Sequence, residues 1–248
     1  MEKIWLYAAV GGFIPIIFWV IFWLREDIKD PEPRWLITKT FLLGIAGAFV
    51  ALCFQALISK LQLNDIDQII AFSFVEEFIK FLAVFIAAFG TVWVNERNDP
   101  MIYMITGALG FSAVENMYYI LDYLDKFEYI QTLINGSYRF IGATLLHTVT
   151  SAVIGIFISI VFFQSKILRI SAAILGILLA TGLHSVFNLL VDPQAGSFLN
   201  KVGFYGVWIG ILVLLIVFEI IRIMANKKKK NGNLPKVDTK NKFRKRFF

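Results

Sequence analysis

The sequence predicts an all-α, polytopic transmembrane bundle of about seven spanning helices, and three observations carry that prediction. Of the 248 residues, 58% are hydrophobic and only 17% are charged, where soluble domains have about 45–50% and about 25%. The mean hydropathy is +0.71. The apolar residues gather into seven runs, each near the ~20 residues that a bilayer-crossing helix needs at ~1.5 Å per residue. Such a composition excludes a soluble globular enzyme, because a fold of this size cannot hide so much apolar surface around one core. It also excludes a disordered or low-complexity chain.

The runs are about 4–24, 35–58, 68–94, 101–121, 137–163, 170–191 and 204–224. The first is expected to be a retained helix bent at Pro15. Its apolar core is roughly 20 residues, not the ~7–15 of a cleavable signal peptide. The second carries Lys39 near one end, where the side chain can snorkel, and Cys53, the only cysteine, expected to be a buried structural thiol. The third holds Glu76, Glu77 and Lys80, and the fourth holds Ser112, Glu115 and Asn116. The fifth and sixth contribute His147 and His184, the only two histidines of the chain. The seventh ends on Glu219 and Arg222, three apart and expected to pair. The organisation expected is one integral-membrane catalytic domain over 1–224 and a basic tail over 225–248.

Orientation follows from Lys and Arg in the short loops. Arg25, Lys29, Arg34, Arg97, Lys166 and Arg169 fall on one side together with the tail. Lys60, Lys126, Arg139 and Lys201 fall on the other, with Lys3 at the start. The expectation is an outside N-terminus and a cytoplasmic tail. Ten of the 24 basic residues lie in 225–248, which accounts for much of the net +6. Such a tail is expected to anchor on anionic lipid headgroups, worth up to ~1 kcal/mol per basic residue. No nucleic-acid-binding fold stands behind it.

Ionisable groups at a helix centre cost about 2.5–3.5 kcal/mol each on insertion scales. Counted from the outer end of each run, Glu76, Glu115, His147 and His184 all lie roughly 9–15 Å deep. Four helices thus bring ionisable groups to one level in the outer half of the bilayer. Glu76 and Lys80 are four apart and are expected to pair. Glu76 and Glu77 diverge by ~100°, so one is expected to face the site and the other a structural partner. The pairs Phe111–Glu115, His147–Ser151 and His184–Asn188 each share a helix face. Glu76, Glu77, Glu115, His147 and His184 are therefore the candidate catalytic residues.

Two chemistries fit this set. In one, Glu115, His147 and His184 hold Zn²⁺ with an open position, Glu76 is the general base, and the ion lowers the pKa of water towards ~7. In the other no metal is needed: Glu76 with Glu115 or His147 activates water, and His184 with Asn188 steadies the developing oxyanion. The zincin HExxH and the GxSxG elbow are absent, and every Asp lies in a loop or the tail, against an aspartyl intramembrane protease. Ser112 is expected to be a helix-packing residue.

Glu76-Glu77-x-x-Lys80, Phe111-x-x-x-Glu115-Asn116, the Arg139–His147 stretch with Ser151, and His184-x-x-x-Asn188 resemble the PrsW family of bacterial intramembrane proteases over roughly residues 35–191. The wider Abi/CAAX-prenyl protease group is a more distant likeness. This chain has Lys80 where that group has an Arg one position later, and Glu115 where it has His. The resemblance implies a bacterial plasma-membrane enzyme that cuts a single-span anti-sigma factor near its extracytoplasmic face. It implies that Glu76, Glu77 and His184 are site residues, with Lys80, Asn116, Arg139 and Asn188 in support, and it leaves the metal open. Two rival readings are a proton-coupled transporter, with Gly107 and Gly110 loosening the fourth span, and a non-catalytic membrane scaffold whose charges only pair helices.

Overall fold

The structure is a computed structural model that describes residues 2–26, 32–125, 129–191 and 197–230. Among the described residues it is helical, without a strand. Seven α-helices follow the seven apolar runs: α1 (Glu2–Glu26), α2 (Arg34–Ile58), α3 (Asp65–Val84), α4 (Asp99–Asp125), α5 (Tyr129–Ile160), α6 (Lys166–Leu190) and α7 (Ser197–Lys230). The helix α1 continues through Pro15. The third run was expected to reach residue 94. Instead α3 passes into a π turn over Phe85–Phe89, and the chain then leaves the helix at Gly90. The α7 helix runs on into the basic segment as far as Lys230, and 231–248 lie outside the described residues.

Among the described residues, four stretches are long and apolar enough to cross a membrane: Arg34–Leu61, Gly142–Ile160, Lys166–Leu190 and Phe198–Met224. The helices α3 and α4 fall short because Glu76, Glu77, Lys80, Glu115 and Asn116 interrupt their apolar sequence. Large apolar side chains on α2, α6 and α7 point outward, among them Phe49, Phe54, Ile174, Leu178, Ile209 and Ile216. That is the surface a lipid solvent accepts and water does not.

The centre of the bundle is α4, which packs on α1, α2, α3 and α5. Tyr103, Met104, Ile105 and Leu109 on it are fully or almost fully buried. Gly107 and Gly110, expected as points of loosening, are instead points of contact: Gly110, with Gly44, lets α2 and α4 touch, and Gly107 makes room for Val84 of α3. A Cβ on Gly110 would sit 2.1 Å from the Phe41 carbonyl oxygen, and one on Gly44 would sit 2.1 Å from that of Gly107. Close backbone approach through small residues is how helices associate when lipid removes the hydrophobic drive. Ser112 is spent in the same way, its hydroxyl 3.3 Å from Thr144 Oγ1 on α5.

Lys39 donates to the Ala87 carbonyl at 3.1 Å, inside the π turn, and so ties α2 to the end of α3. Glu219 and Arg222 pair at 2.6 Å as expected. Cys53 is exposed on the outer face of α2, which corrects the expectation of a buried thiol. Its neighbours Val50, Phe54 and Leu57 point the same way, so the thiol follows the apolar outer face.

Candidate active site

Four helices deliver the site. The α3 helix starts on a cap in which Asn64 accepts from the Asp67 N–H at 2.9 Å. Three turns on, it places Glu76, Glu77 and Lys80, all buried. Glu115 comes from α4, His147 from α5 and His184 from α6, and the two imidazole centroids are 5.2 Å apart.

Glu77 is the organising acid. Its Oε1 accepts from Lys80 Nζ at 2.6 Å, from Thr150 Oγ1 at 2.9 Å and from His184 Nδ1 at 2.8 Å. Lys80 therefore pairs three residues back, with Glu77, and not four back with Glu76 as its spacing suggested. The choice is made by partners from α5 and α6, which gather on Glu77 alone. Lys80 also meets His147 Nδ1 at 2.8 Å and lies 5.0 Å above the Phe111 ring.

Glu76 behaves differently. Its Oε1 accepts from Gln55 Nε2 at 2.7 Å, while its buried Oε2 has no hydrogen bond and lies 3.7 Å from His184 Nε2. Because Nδ1 of His184 donates to Glu77, its Nε2 keeps a lone pair on the side of Glu76. Glu115 Oε2 meets His147 Nε2 in a close contact, and neither atom makes a well-formed hydrogen bond.

Beside these groups lies a cavity of about 490 Å³. Glu76, Glu115, Gln55, Phe111 and Asn188 line it, and Ser59 and Tyr118 stand at its exposed margin. Asn188 thus shares a space with the two acids. Asn116 is not among the lining residues, because its amide donates to Thr144 at 2.9 Å and ties α4 to α5. The side chain of Arg139 lies outside the described residues. Ser151 is buried with no hydrogen bond on its hydroxyl. Gln55, Thr150 and Thr144 were not singled out in the sequence. A lone Gln in an apolar span was the available signal for the first; the two threonines look like ordinary helix-packing residues.

The donor set can be tested for a metal. Glu76, His147 and His184 each offer an atom within 4.8 Å of the others. Glu76 is the carboxylate of this trio, where the sequence pointed to Glu115; Glu115 meets His147 at Nε2, on the other side of its ring from Lys80. Three buried or half-buried carboxylates share one ammonium here, and such a surplus needs protons or a cation to offset it. Four orphaned atoms, Glu76 Oε2, Glu77 Oε2, His147 Nε2 and Glu115 Oε2, lie in the same cluster. The residues fit a divalent ion. While the Lys80 ammonium donates to Nδ1 of His147, the imidazole proton sits on Nε2, so ligation there would release a proton from this pair.

Buried acids and imidazoles with open valences, gathered beside a cavity in a membrane bundle, define the class: an intramembrane hydrolase. The chain belongs to the PrsW family of intramembrane metalloproteases, whose family model matches residues 32–220. It is thus an intramembrane protease. It is similar to Protease PrsW of Clostridioides difficile (27% identity; 90% of each chain) and of Bacillus subtilis (20%; 75% of this chain and 84% of the relative). Protease PrsW of Halalkalibacterium halodurans is 25% identical, over 78% of this chain and 86% of its own. No solved structure matches the chain.

Proposed function

We propose that the chain hydrolyses a peptide bond of a single-span membrane protein of the anti-sigma-factor type, near the extracytoplasmic face of a bacterial plasma membrane. In this reading all seven helices cross the bilayer, the N-terminus is outside, and the basic tail is cytoplasmic and rests on anionic lipid. The observation that carries the reading is the open Glu76 Oε2, 3.7 Å from His184 Nε2 at the wall of the cavity.

Glu76 acts as the general base. Its free oxygen takes a proton from a water that attacks the scissile carbonyl, and returns it to the leaving amine. His184 is held in one tautomer by Glu77, and Thr150 and Lys80 hold Glu77 in turn. His147, with Lys80 on one nitrogen and Glu115 beside the other, balances charge across the site. Asn188 is placed to donate to the carbonyl oxygen as negative charge develops. Glu76, His147 and His184 would hold a Zn²⁺ ion, which when bound supplies Lewis-acid polarisation of the carbonyl and a more acidic water. Glu76 Oε2 would then serve as a ligand, and Glu115 at the cavity wall would take the water's proton in its place.

The test is N-terminal profiling of membranes from the encoding organism that carry either the wild-type chain or Glu76→Gln at equal levels. The expected result is a new N-terminus in a single-span protein, just outside its apolar segment, with the wild type alone. Identical profiles would refute the reading. Co-expression with an anti-sigma factor, cut by the wild type and spared by Glu76→Ala and His184→Ala, would fix the substrate class.

A further inference from the structure

The wall that α2 presents to the cavity consists largely of small or apolar residues: Ala48, Ala51, Leu52 and Ala56. Gln55 interrupts it. A side-chain amide in a long apolar helix is costly unless its groups are used. Half of this one is used: Nε2 donates to Glu76 Oε1 at 2.7 Å. That bond occupies one carboxylate oxygen and leaves the other, Oε2, as the one beside His184. The amide is planar, so fixing the nitrogen on Glu76 turns the carbonyl oxygen away from it. Gln55 lines the cavity and is half-buried, and its carbonyl oxygen makes no hydrogen bond among the described residues.

A substrate strand in this cavity brings main-chain N–H groups that lose water on binding. Each needs an acceptor, since an unmet buried donor costs about 1–3 kcal/mol. The acids beside the cavity are committed to the chemistry. The Gln55 oxygen is neutral and one amide away from the general base.

We propose that Gln55 has two roles in this protease: its N–H orients Glu76, and its carbonyl oxygen accepts a main-chain N–H of the substrate strand next to the scissile bond. The proposal rests on the reading of Glu76 as a residue of the reacting centre, as base or as ligand. Removing the side chain would then harm both turnover and binding, while exchanging the amide for a carboxylate would keep the acceptor and lose the donor.

The experiment uses the full-length protein in detergent and, as substrate, the purified membrane protein whose new N-terminus the profiling identifies. For Gln55→Leu, kcat falls about tenfold or more and KM rises about threefold or more, each in the range of one or two lost hydrogen bonds. For Gln55→Glu, kcat falls as far while KM stays within about twofold of wild type, because an oxygen acceptor is still present. Thermal melts confirm that the variants are folded; if Gln55→Leu loses its cooperative melt, the near-isosteric Gln55→Met is read in its place. A Leu or Met variant with wild-type kcat and KM overturns the proposal. So does a Glu variant whose KM rises as much as that of the Leu variant. A wild-type chain that does not cut the substrate refutes the hydrolase reading itself, a different failure from either of these.

Discussion

Two clusters of buried polar groups lie on α4, sixteen residues and thus roughly 24 Å apart, and they are built on opposite principles. Near the start of the helix, Asp99 Oδ2 accepts from the Asn95 and Glu96 N–H groups at 2.6 Å each, and the Tyr103 hydroxyl donates to Glu32. Asp99 and Glu32 are also hydrogen-bonded to each other. These bonds join the segment before α2 to the turn before α4. Near the other end, Glu115 joins Glu76, Glu77, His147 and His184 around a cavity, with open atoms on four of the five. The first cluster spends its polar groups on holding the chain; the second keeps some in reserve. In an apolar medium an unspent polar group is expensive. In the proposed reading, the reserve is where the protein meets a substrate or an ion.

The comparison breaks most visibly if the reserve is removed. Glu76→Ala or His184→Ala should lower cleavage by about 10²–10⁴, the usual worth of a positioned acid or base, while thermal melts stay near wild type. A large loss of stability with activity retained would mean that these groups serve the fold. Lys80→Met should do the reverse in kind. It strips the ammonium from a fully buried Glu77, and breaking a buried pair costs about 3–5 kcal/mol, read as a lower melting point.

The Asp99 cluster should respond to pH. Burial and the neighbouring Glu32 push the Asp99 carboxyl well above the usual carboxylate range. The folded chain then holds this proton more tightly than the unfolded one. Its contribution to stability is complete below the ordinary carboxylate pKa and is lost as pH rises through the raised value. Asp99→Asn should flatten that decline in thermal melts and leave cleavage unchanged. The smallest effect belongs to Tyr103→Phe, which removes one hydrogen bond from Glu32 and should cost about 1 kcal/mol of stability. A drop in cleavage beyond the loss of folded protein would show the two clusters to be coupled.

The helices and the second cluster could largely be read from the sequence, because length and hydropathy dictate helices and because a charge in an apolar run is conspicuous; the Asp99 cluster, at a helix end, could not. The seven runs became the seven helices, and Glu76, Glu77, Glu115, His147 and His184 came to one place. What could not be read was decided by partners on other helices. Lys80 chose Glu77 over Glu76 because Thr150 and His184 converge on the same oxygen. Asn116 was drawn to Thr144 and away from the cavity. Gly107 and Gly110 suggested flexibility, and only Val84 of α3 and the α2 backbone show them to be contact points. Cys53 sits in an apolar run that faces outward, and mean hydropathy does not tell lipid from core.

The most direct test of the account is the zinc content of purified protein. The account predicts about one Zn²⁺ per chain, lost in Glu76→Ala, His147→Ala and His184→Ala and kept in Asp99→Asn. Zinc that persists in His184→Ala, or a wild-type chain that cuts its substrate after exhaustive chelation, would contradict the placement of the ion among these three side chains.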